Sequence, residues 1–312
     1  MVDKRASIIG SIVGDALGVP VEFTNRKDLD VNPVSDMREY GTYKQPKGTW
    51  SDDSSMILCA MENVVKGKAL NPEFMIHTWS EWYTKGKWTP YGKVFDIGST
   101  TANALYKWNK GYDWFECGDE NVNSNGNGSL MRNMPISLCV SNYSYDTIIM
   151  ISSNISSLTH AHTISRFCCA YHSLFVKSLI NYNDIYLAMS DAIDALSPAI
   201  SLLSRHDKNE LRRILDSSIL ESSRDEISGD GYVVHSLEAM IWCLHNFKDF
   251  KSTVLAAVNL GEDTDTTACI VGGVAGLIYG MDQIPEEWIN CLARIDEINE
   301  LTDKFLSTKW LI

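Results

Sequence analysis

The stretch TISRFCCAYHSLFVKSLI, residues 163–180, decides the fold class of this sequence. As an α-helix it would carry apolar side chains around most of its circumference, which is typical of a helix buried at the centre of a protein. NDIYLAMSDAIDAL (183–196) and VVHSLEAMIWCLHNF (233–247) repeat apolar residues at the i, i+3, i+4 spacing of helices. Alternating patterns of the kind that strands show are scarce. The sequence therefore predicts an all-α protein with about a dozen helices, given usual helix and loop lengths.

The 312 residues contain neither a Pro/Ser-rich linker nor a repeat of fixed period, so we expect one compact domain over residues 1–312. Lys and Arg number 27 and Asp and Glu number 40, which gives a net charge of −13. A general nucleic-acid binder or a protein of anionic membrane surfaces needs a basic face. The apolar run at 268–280 is shorter than the ~20 residues that cross a bilayer. We expect no nucleic-acid or membrane partner, and a soluble monomer.

Eight cysteines are present, none of them in a C-x-x-C pair or a Cys/His cluster with zinc spacing. Most lie in apolar runs. We therefore expect buried free thiols and a reducing, cytoplasmic compartment.

Two acidic motifs each precede an apolar helix: GTWSDDSSMILC (48–59) and LGEDTDTTACIVGG (260–273). Each alone is explained by helix capping, by Ser51 in the first motif and by Asp263 or Thr264 in the second. Together the carboxylates would repel one another if the helix starts meet, and a divalent cation would remove that repulsion. Oxygen ligands suit Mg²⁺, Mn²⁺ or Ca²⁺. The pair predicts two metal ions bridged by one aspartate, and one domain that joins both motifs.

Gly272, Gly276 and Gly280 follow the second motif at four-residue spacing, which predicts close packing of this helix on another.

Three further segments allow both a structural and a functional interpretation. In GDALGVPVEF (14–23), Glu22 follows a Gly/Pro break and is either a solvated loop residue or a carboxylate able to reach a site. In FDIGSTT (95–101), Asp96 is either a helix cap or a site residue. NGNGSLMR (125–132) is either a turn or a loop whose backbone amides hold a phosphate, with Arg132 as an ion-pair partner.

His160 and His162 form an H-x-H pair in SSLTHAHTIS (156–165). Since no third His or Cys lies near in sequence, we expect a ligand contact from one of them rather than a metal site.

In this order along the chain, GDALGVPVEF, GTWSDDSSM, FDIGSTT, NGNGSLMR, LTH and GEDTDTTACIVGGVAGLIYG resemble the motifs of the ADP-ribosylglycohydrolase family. The resemblance runs from Gly14 to Gly280. FDIGSTT is more similar to the bacterial dinitrogenase reductase-activating branch than to the animal serine-ADP-ribose branch.

The resemblance implies a compact, single-domain orthogonal helix bundle with a centre of two Mg²⁺ or Mn²⁺ ions. It implies catalytic roles for Glu22, which matches a mobile glutamate, for Asp96, which matches a residue facing the ribose, and for Asp53. It also implies the following ligands: Ser51, Asp52, Asp53, Asp263, Asp265 and Thr266 for the metals; Gly126, Asn127, Gly128 and Ser129 for the diphosphate; and His160 for the ADP-ribose.

Three positions depart from the family pattern. The family usually has Thr at the position of Ser51, often has Asn at the position of Ser99, and commonly has Gly at the position of Glu262. Glu262 adds a charge beside the predicted metals.

The expected activity is metal-assisted hydrolysis of the N-glycosidic bond between ADP-ribose and a protein arginine, with Asp96 and Glu22 as acid and base in either order. The alternatives are hydrolysis of an ADP-ribosyl-serine or small-molecule conjugate, a metal-dependent phosphohydrolase, and a non-catalytic ADP-ribose binder.

Overall fold

Seventeen α-helices build the part of the chain that the computed structural model describes, residues 2–67 and 69–309. In chain order they are α1 (Lys4–Gly18), α2 (Arg26–Val31), α3 (Asp52–Val65), α4 (Pro72–Lys85), α5 (Ser99–Asn109), α6 (Trp114–Cys117), α7 (Met134–Val140), α8 (Tyr145–Ser157), α9 (Thr163–Tyr182), α10 (Ile185–Leu202), α11 (Arg205–Glu210), α12 (Arg212–Leu215), α13 (Val233–Asn246), α14 (Phe250–Val258), α15 (Thr264–Tyr279), α16 (Glu286–Asn290) and α17 (Ile295–Ser307). Short 3₁₀ turns lie at Val19–Val21, Val122–Ser124, Asn127–Ser129, Ser218–Glu221, Arg224–Glu226 and Met281–Gln283.

Within these residues there is no β-strand, and only three isolated β-bridges occur. The all-α prediction is confirmed. Five of the helices have six residues or fewer, so the predicted dozen corresponds to the longer ones. Buried apolar side chains from α1 through α17 form one continuous core, as a single-domain bundle requires.

Helix α9 lies at the centre, as its sequence predicts, and packs against α7, α8, α10 and α13. Two of its buried polar residues are paired with polar groups at the start of α7: Asn133, the N-cap residue of α7, and Ser137 contact His172 and Ser173 of α9 through hydrogen bonds of 2.9–3.3 Å. Pairing of this kind offsets the cost of burying polar atoms.

Helix α10 is, by length and composition, apolar enough to cross a bilayer, a property that core helices of water-soluble proteins share. Here it packs along α9, where Ser178 donates a hydrogen bond to Asp191 of α10. All eight cysteines are free thiols, as predicted.

Helices α1 and α15 run antiparallel and touch backbone to backbone. A Cβ atom placed on Gly10 would lie 2.3 Å from the carbonyl oxygen of Gly272, and one on Gly14 would lie 2.0 Å from that of Ala268. Gly272 and Gly276 are therefore required for close packing, as predicted.

Gly280 has a different role from the one that its spacing suggests. It ends α15 with φ +83°, and the nearest atom to an added Cβ, from Asp3, is 3.8 Å away. Glycine is favoured at position 280 by the backbone conformation, and not by a close contact between helices.

The antiparallel contact fixes where the site forms. A Cβ on Gly18, at the end of α1, would lie 2.3 Å from the Cα atom of Asp265, in the first turn of α15. The residue that follows the break after α1, Glu22, therefore lies beside the second acidic motif. The first acidic motif joins them because the start of α3 is hydrogen-bonded to Asp15 of α1.

We expect Gly14→Ala and Gly272→Ala each to lower the free energy of unfolding by about 1–3 kcal/mol or more, because the new methyl group meets a backbone carbonyl that cannot move alone. Gly98→Ala is the matched control, since Gly98 has φ −65° and no atom lies within 4 Å of an added Cβ. Urea denaturation followed by circular dichroism measures the difference. Equal stability of all three variants would contradict the packing argument.

Candidate active site

A cavity of about 410 Å³ opens where the starts of α3, α5 and α15 converge with the turn after α1 and the loop at 126–129. Nine of the predicted site residues line it: Glu22, Asp52, Asp96, Gly126, Asn127, Gly128, His160, Asp263 and Thr266. The remaining four, Ser51, Asp53, Ser129 and Asp265, are buried close behind this surface. The structure thus brings the predicted residues together from segments separated by most of the chain.

Two groups of carboxylates meet beneath the cavity and share one member. Oxygen atoms of Asp15, Asp53 and Asp265 lie within 4.8 Å of one another, and so do those of Glu22, Asp263 and Asp265. Asp265 belongs to both groups. This is the arrangement that two neighbouring cations bridged by one aspartate would need.

The start of α3 is held by Asp15 of α1. The Asp15 carboxylate accepts hydrogen bonds from the backbone N–H groups of Ser51 (2.9 Å) and Ser54 (3.0 Å), and also from the Ser54 hydroxyl. The Ser51 hydroxyl caps the helix by accepting from the N–H of Asp53 at 3.3 Å. The capping interpretation is therefore correct for Ser51, whereas Asp52 and Asp53 remain available to the site.

Sequence reasoning missed Asp15. The signal was a single carboxylate inside the apolar run SIIGSIVGDALG, residues 7–18. A carboxylate in such a run needs partners when it is buried, and here Asp15 is fully buried.

The start of α15 uses its acids differently from a simple helix cap. Asp263 occupies the N-cap position, but its carboxylate makes no capping hydrogen bond. It accepts instead from the side-chain amide of Asn127, at 2.7 Å. Thr266 donates to Asp53 at 3.3 Å, which links the two acidic motifs directly.

Glu22 and Asp96 both line the cavity, which favours the second interpretation of their sequence motifs. Glu22 is only 5% exposed, so it is not a solvated loop residue. The N-cap of α5 is Gly98, without a side-chain cap, so Asp96 does not cap that helix. The atoms Glu22 Oε2 and Asp53 Oδ2 are buried and have no hydrogen-bond partner among the described residues. Unpartnered carboxylate oxygens of this kind are what a divalent cation would satisfy.

Burial raises the pKa of every carboxyl group in this cluster. It raises the pKa of Glu22 to about 8, with a further contribution from the charge of Asp96, and that of Asp15 to about 6 despite the hydrogen bonds from Ser51 and Ser54. The pKa values of Asp52, Asp53 and Asp265 lie well above the usual range, and those of Asp96 and Asp263 are raised too. Burial therefore favours the protonated form of the cluster when nothing compensates its charge.

The loop at 126–129 approaches His160 closely. A Cβ on Gly128 would lie 2.9 Å from His160 Cε1, so glycine is required there. Burial lowers the pKa of His160 to about 3, with help from the charge of Arg132, so the imidazole is neutral. The Ser129 hydroxyl faces the core and accepts hydrogen bonds from Ser156 and Cys169. A ligand would meet Ser129 through its backbone.

Two polar residues near the loop serve the fold. Arg132, which the sequence suggests as an ion-pair partner for a phosphate at the loop, is fully buried and makes no salt bridge within the described part of the chain. Its guanidinium lies 3.8 Å from the ring centroid of Trp79 and donates to Thr159 at 2.7 Å. His162 caps α9 by accepting from the N–H of Ile164, and its Nδ1 also contacts Asn125. His160 and His162 belong to neither of the two carboxylate groups.

Comparison with known proteins agrees with this geometry. The sequence profile of the ADP-ribosylglycohydrolase family matches residues 4–310. The "ADP-ribosylarginine hydrolase Tri1" of Serratia proteamaculans (strain 568) is 31% identical over 301 residues, which cover 96% of this chain and 78% of that protein. The "ADP-ribosyl-[dinitrogen reductase] glycohydrolase" of Rhodospirillum rubrum is 23% identical over 295 residues, which cover 92% and 88% of the two chains.

A solved structure of an "ADP-ribosylglycohydrolase-related protein complex" shares the fold, with a TM-score of 0.81, 24% identity, and coverage of 98% of this chain and 97% of the other. The chain belongs to the ADP-ribosylglycohydrolase family. It is accordingly a glycoside hydrolase that removes ADP-ribose.

The raised pKa values predict how stability depends on pH when metals are absent. Glu22, with an ordinary pKa near ~4.3 and a folded value of about 8, holds a proton in the native state that the unfolded chain releases, so its contribution to stability falls as pH rises through 8. We expect the Tm of EDTA-treated protein to be lower at pH ~8.5 than at pH ~6.5. The comparison starts at pH ~6.5 because His160 and His172 are buried, with pKa values lowered to about 3 and 4. Below pH ~6.5 the unfolded chain binds protons that these histidines do not bind in the native state, so their contribution to stability rises with pH.

Glu22→Gln should flatten this pH dependence, because the amide does not titrate. Added Mn²⁺ should raise the Tm more at pH ~8.5 than at pH ~6.5, since binding displaces protons. Differential scanning calorimetry measures both effects. A Tm that rises with pH in EDTA would contradict the predicted sign.

Proposed function

We propose that this protein hydrolyses the N-glycosidic bond between ADP-ribose and a protein arginine, with two Mg²⁺ or Mn²⁺ ions as cofactors. The observation that carries the proposal is the pair of buried carboxylate groups that share Asp265 beneath the cavity. The relative from Serratia proteamaculans, named as an ADP-ribosylarginine hydrolase, supports the arginine linkage. We further propose a cytoplasmic monomer whose substrates are ADP-ribosylated proteins, and which needs neither nucleic acid nor membrane.

The donors present fit divalent cations. They are all oxygen atoms, and two buried ones, Glu22 Oε2 and Asp53 Oδ2, have no hydrogen-bond partner in residues 2–67 and 69–309. The residues that would hold the metals are Ser51, Asp52, Asp53, Asp263, Asp265 and Thr266. Bound metals supply Lewis-acid chemistry and a template for the ribose hydroxyls.

The chain's own residues position this chemistry. Asn127 fixes the Asp263 carboxylate through its 2.7 Å hydrogen bond, and Asp15 fixes the first turn of α3. The backbone N–H groups of the loop at 126–129 would hold the diphosphate, apart from that of Asn127, which donates to the carbonyl of Gly231 at 2.9 Å. The ribose would then lie over the carboxylates and the rest of the ADP along the loop.

Hydrolysis breaks the bond from ribose C1″ to the guanidine nitrogen and forms a bond from C1″ to the oxygen of water. One proton leaves the water, and one proton reaches the departing nitrogen. Glu22 and Asp96 both line the cavity and are the carboxylates available to accept the first proton and donate the second. The products are ADP-ribose and an unmodified arginine.

Asp53→Asn and Asp265→Asn should each lower the rate of ADP-ribose release by at least about 10³-fold, because the loss of a ligand charge removes several kcal/mol of transition-state stabilisation. Release from an ADP-ribosyl-arginine protein is measured with Mg²⁺ or Mn²⁺ and with EDTA. Asp282→Asn, which changes an exposed carboxylate outside the cavity, is the matched control. Full activity of the Asp53→Asn/Asp265→Asn double variant, or of the wild type in EDTA, would refute the dimetal centre.

The same assay separates the alternatives. Release from an ADP-ribosyl-serine peptide, but not from arginine, would favour the serine linkage. Release of inorganic phosphate would indicate a phosphohydrolase. Tight ADP-ribose binding without any release would indicate a binding protein.

A further inference from the structure

Two residues at the mouth of the cavity share an unusual backbone conformation. Phe23 and Glu262 both have φ +63°, in the left-handed region that favours glycine. They are locked together: the N–H of Phe23 donates to the carbonyl of Glu262 at 2.7 Å, and the N–H of Glu262 donates to the carbonyl of Thr24 at 2.8 Å. For each residue this conformation is higher in free energy than it would be for glycine, and strained conformations of this kind are concentrated at functional sites.

Each of these residues directly adjoins an acid of the carboxylate cluster. Glu22 is 5% exposed, whereas Phe23, the next residue, is 66% exposed. Glu262 is exposed beside Asp263. Both Phe23 and Glu262 line the cavity. They therefore lie at the mouth of the cavity, each one residue along the chain from a carboxylate of the cluster.

The Phe23 ring is the first of three aromatic rings that contact one another in a row. It meets Tyr43 edge-on at a centroid distance of 6.4 Å, and Tyr43 contacts Phe95 at 5.0 Å. These contacts hold the ring in place and leave much of its surface to solvent. A large exposed ring beside a catalytic cavity is a surface on which a planar group can stack.

The Glu262 carboxylate forms no salt bridge within the described residues. The nearby guanidinium of Arg26 donates instead to the backbone carbonyls of Leu260, Arg224 and Ile227. The charge of Glu262 acts on Arg26 at longer range, where it opposes the fall in the pKa of Arg26 that burial causes, but no direct ion pair holds the Glu262 carboxylate within the described residues.

An aromatic face and a carboxylate without a direct ion pair, carried by two residues that are joined by a backbone hydrogen bond, can together receive a planar cation. A guanidinium is the protein group that best combines stacking with bidentate hydrogen bonding. We infer that Phe23 and Glu262 bind the guanidinium of the ADP-ribosylated arginine and thereby select that linkage over neutral ones. The inference rests on the proposed function. An ADP-ribosyl-serine substrate carries no charge at this position and gains nothing from the pair.

The test compares wild type with Glu262→Gln and Glu262→Gly. The KM for an ADP-ribosyl-arginine peptide should rise about fivefold or more in both variants, because the guanidinium loses a charged partner in the bound state. The rise should shrink at high salt, which screens the wild-type interaction. The inhibition constant of free ADP-ribose should stay within about twofold of the wild-type value, since ADP-ribose has no guanidinium.

Glu262→Gly separates recognition from folding. Glycine suits φ +63°, so the Tm of this variant should equal or exceed that of the wild type while its KM rises. Glu287→Gln is the matched control, since it neutralises an exposed carboxylate that does not line the cavity.

Phe23 is tested by the character of its ring. Phe23→Leu keeps an apolar side chain without a ring and should raise the KM for the arginine substrate. Phe23→Trp should keep the KM at or below the wild-type value, because tryptophan is the strongest cation–π partner. A purely structural role would not rank the variants in this way.

If the wild type hydrolyses ADP-ribosyl-arginine and the Glu262 and Phe23→Leu variants keep its KM, the inference is overturned while the proposed function stands. It is also overturned if KM and the inhibition constant of ADP-ribose rise together. If the wild type releases no ADP-ribose from arginine, the proposed function fails and the inference fails with it.

Discussion

Two antiparallel helices that touch through their backbones decide where the acidic residues of this protein meet. At Gly10, Gly14 and Gly272 there is no room for a Cβ atom, so α1 and α15 approach more closely than helices with side chains between them. The register that results places the end of α1 against the first turn of α15. Glu22 and Asp265 become neighbours for this reason. Asp15, about one turn before the end of α1, anchors the start of α3 beside them.

This packing creates an electrostatic conflict that the fold alone does not resolve. Burial disfavours the ionised form of these carboxyl groups, and carboxylates within a few ångströms of one another also repel; the raised pKa values express both costs, burial first. Hydrogen bonds from the N–H groups of Ser51 and Ser54, and from Asn127, stabilise individual members of the cluster. The dipoles of α3 and α15 favour negative charge at their starts. The packing that brings these carboxylates together therefore lowers the stability of the fold when they are ionised, as is common at functional sites.

The fold class and most of the cluster were predictable from the sequence because each has a local signature. The apolar circumference of residues 163–180 predicts a central helix, and two acidic helix starts predict a shared cation site. Asp15 was not predictable in this way, because its role depends on which helix α1 faces, and that is a property of packing. For Arg132 the same limit applies: a buried guanidinium that stacks on Trp79 instead of pairing with a carboxylate is decided by its surroundings. The left-handed conformation of Glu262 is likewise set by its hydrogen bonds to residues 23 and 24.

The contact between α1 and α15 also governs when during biosynthesis the centre can exist. Its two halves lie near opposite ends of the chain, and contacts of such sequence separation form slowly because a long loop must first close. At a synthesis rate of roughly 5–20 residues per second, α15 is made on the order of 10–50 s after α1. Until then the glycine face of α1 has no partner, and Asp15, Glu22 and Asp53 lack the aspartates that complete the two carboxylate groups. A nascent chain that does not yet contain α15 therefore holds no finished centre.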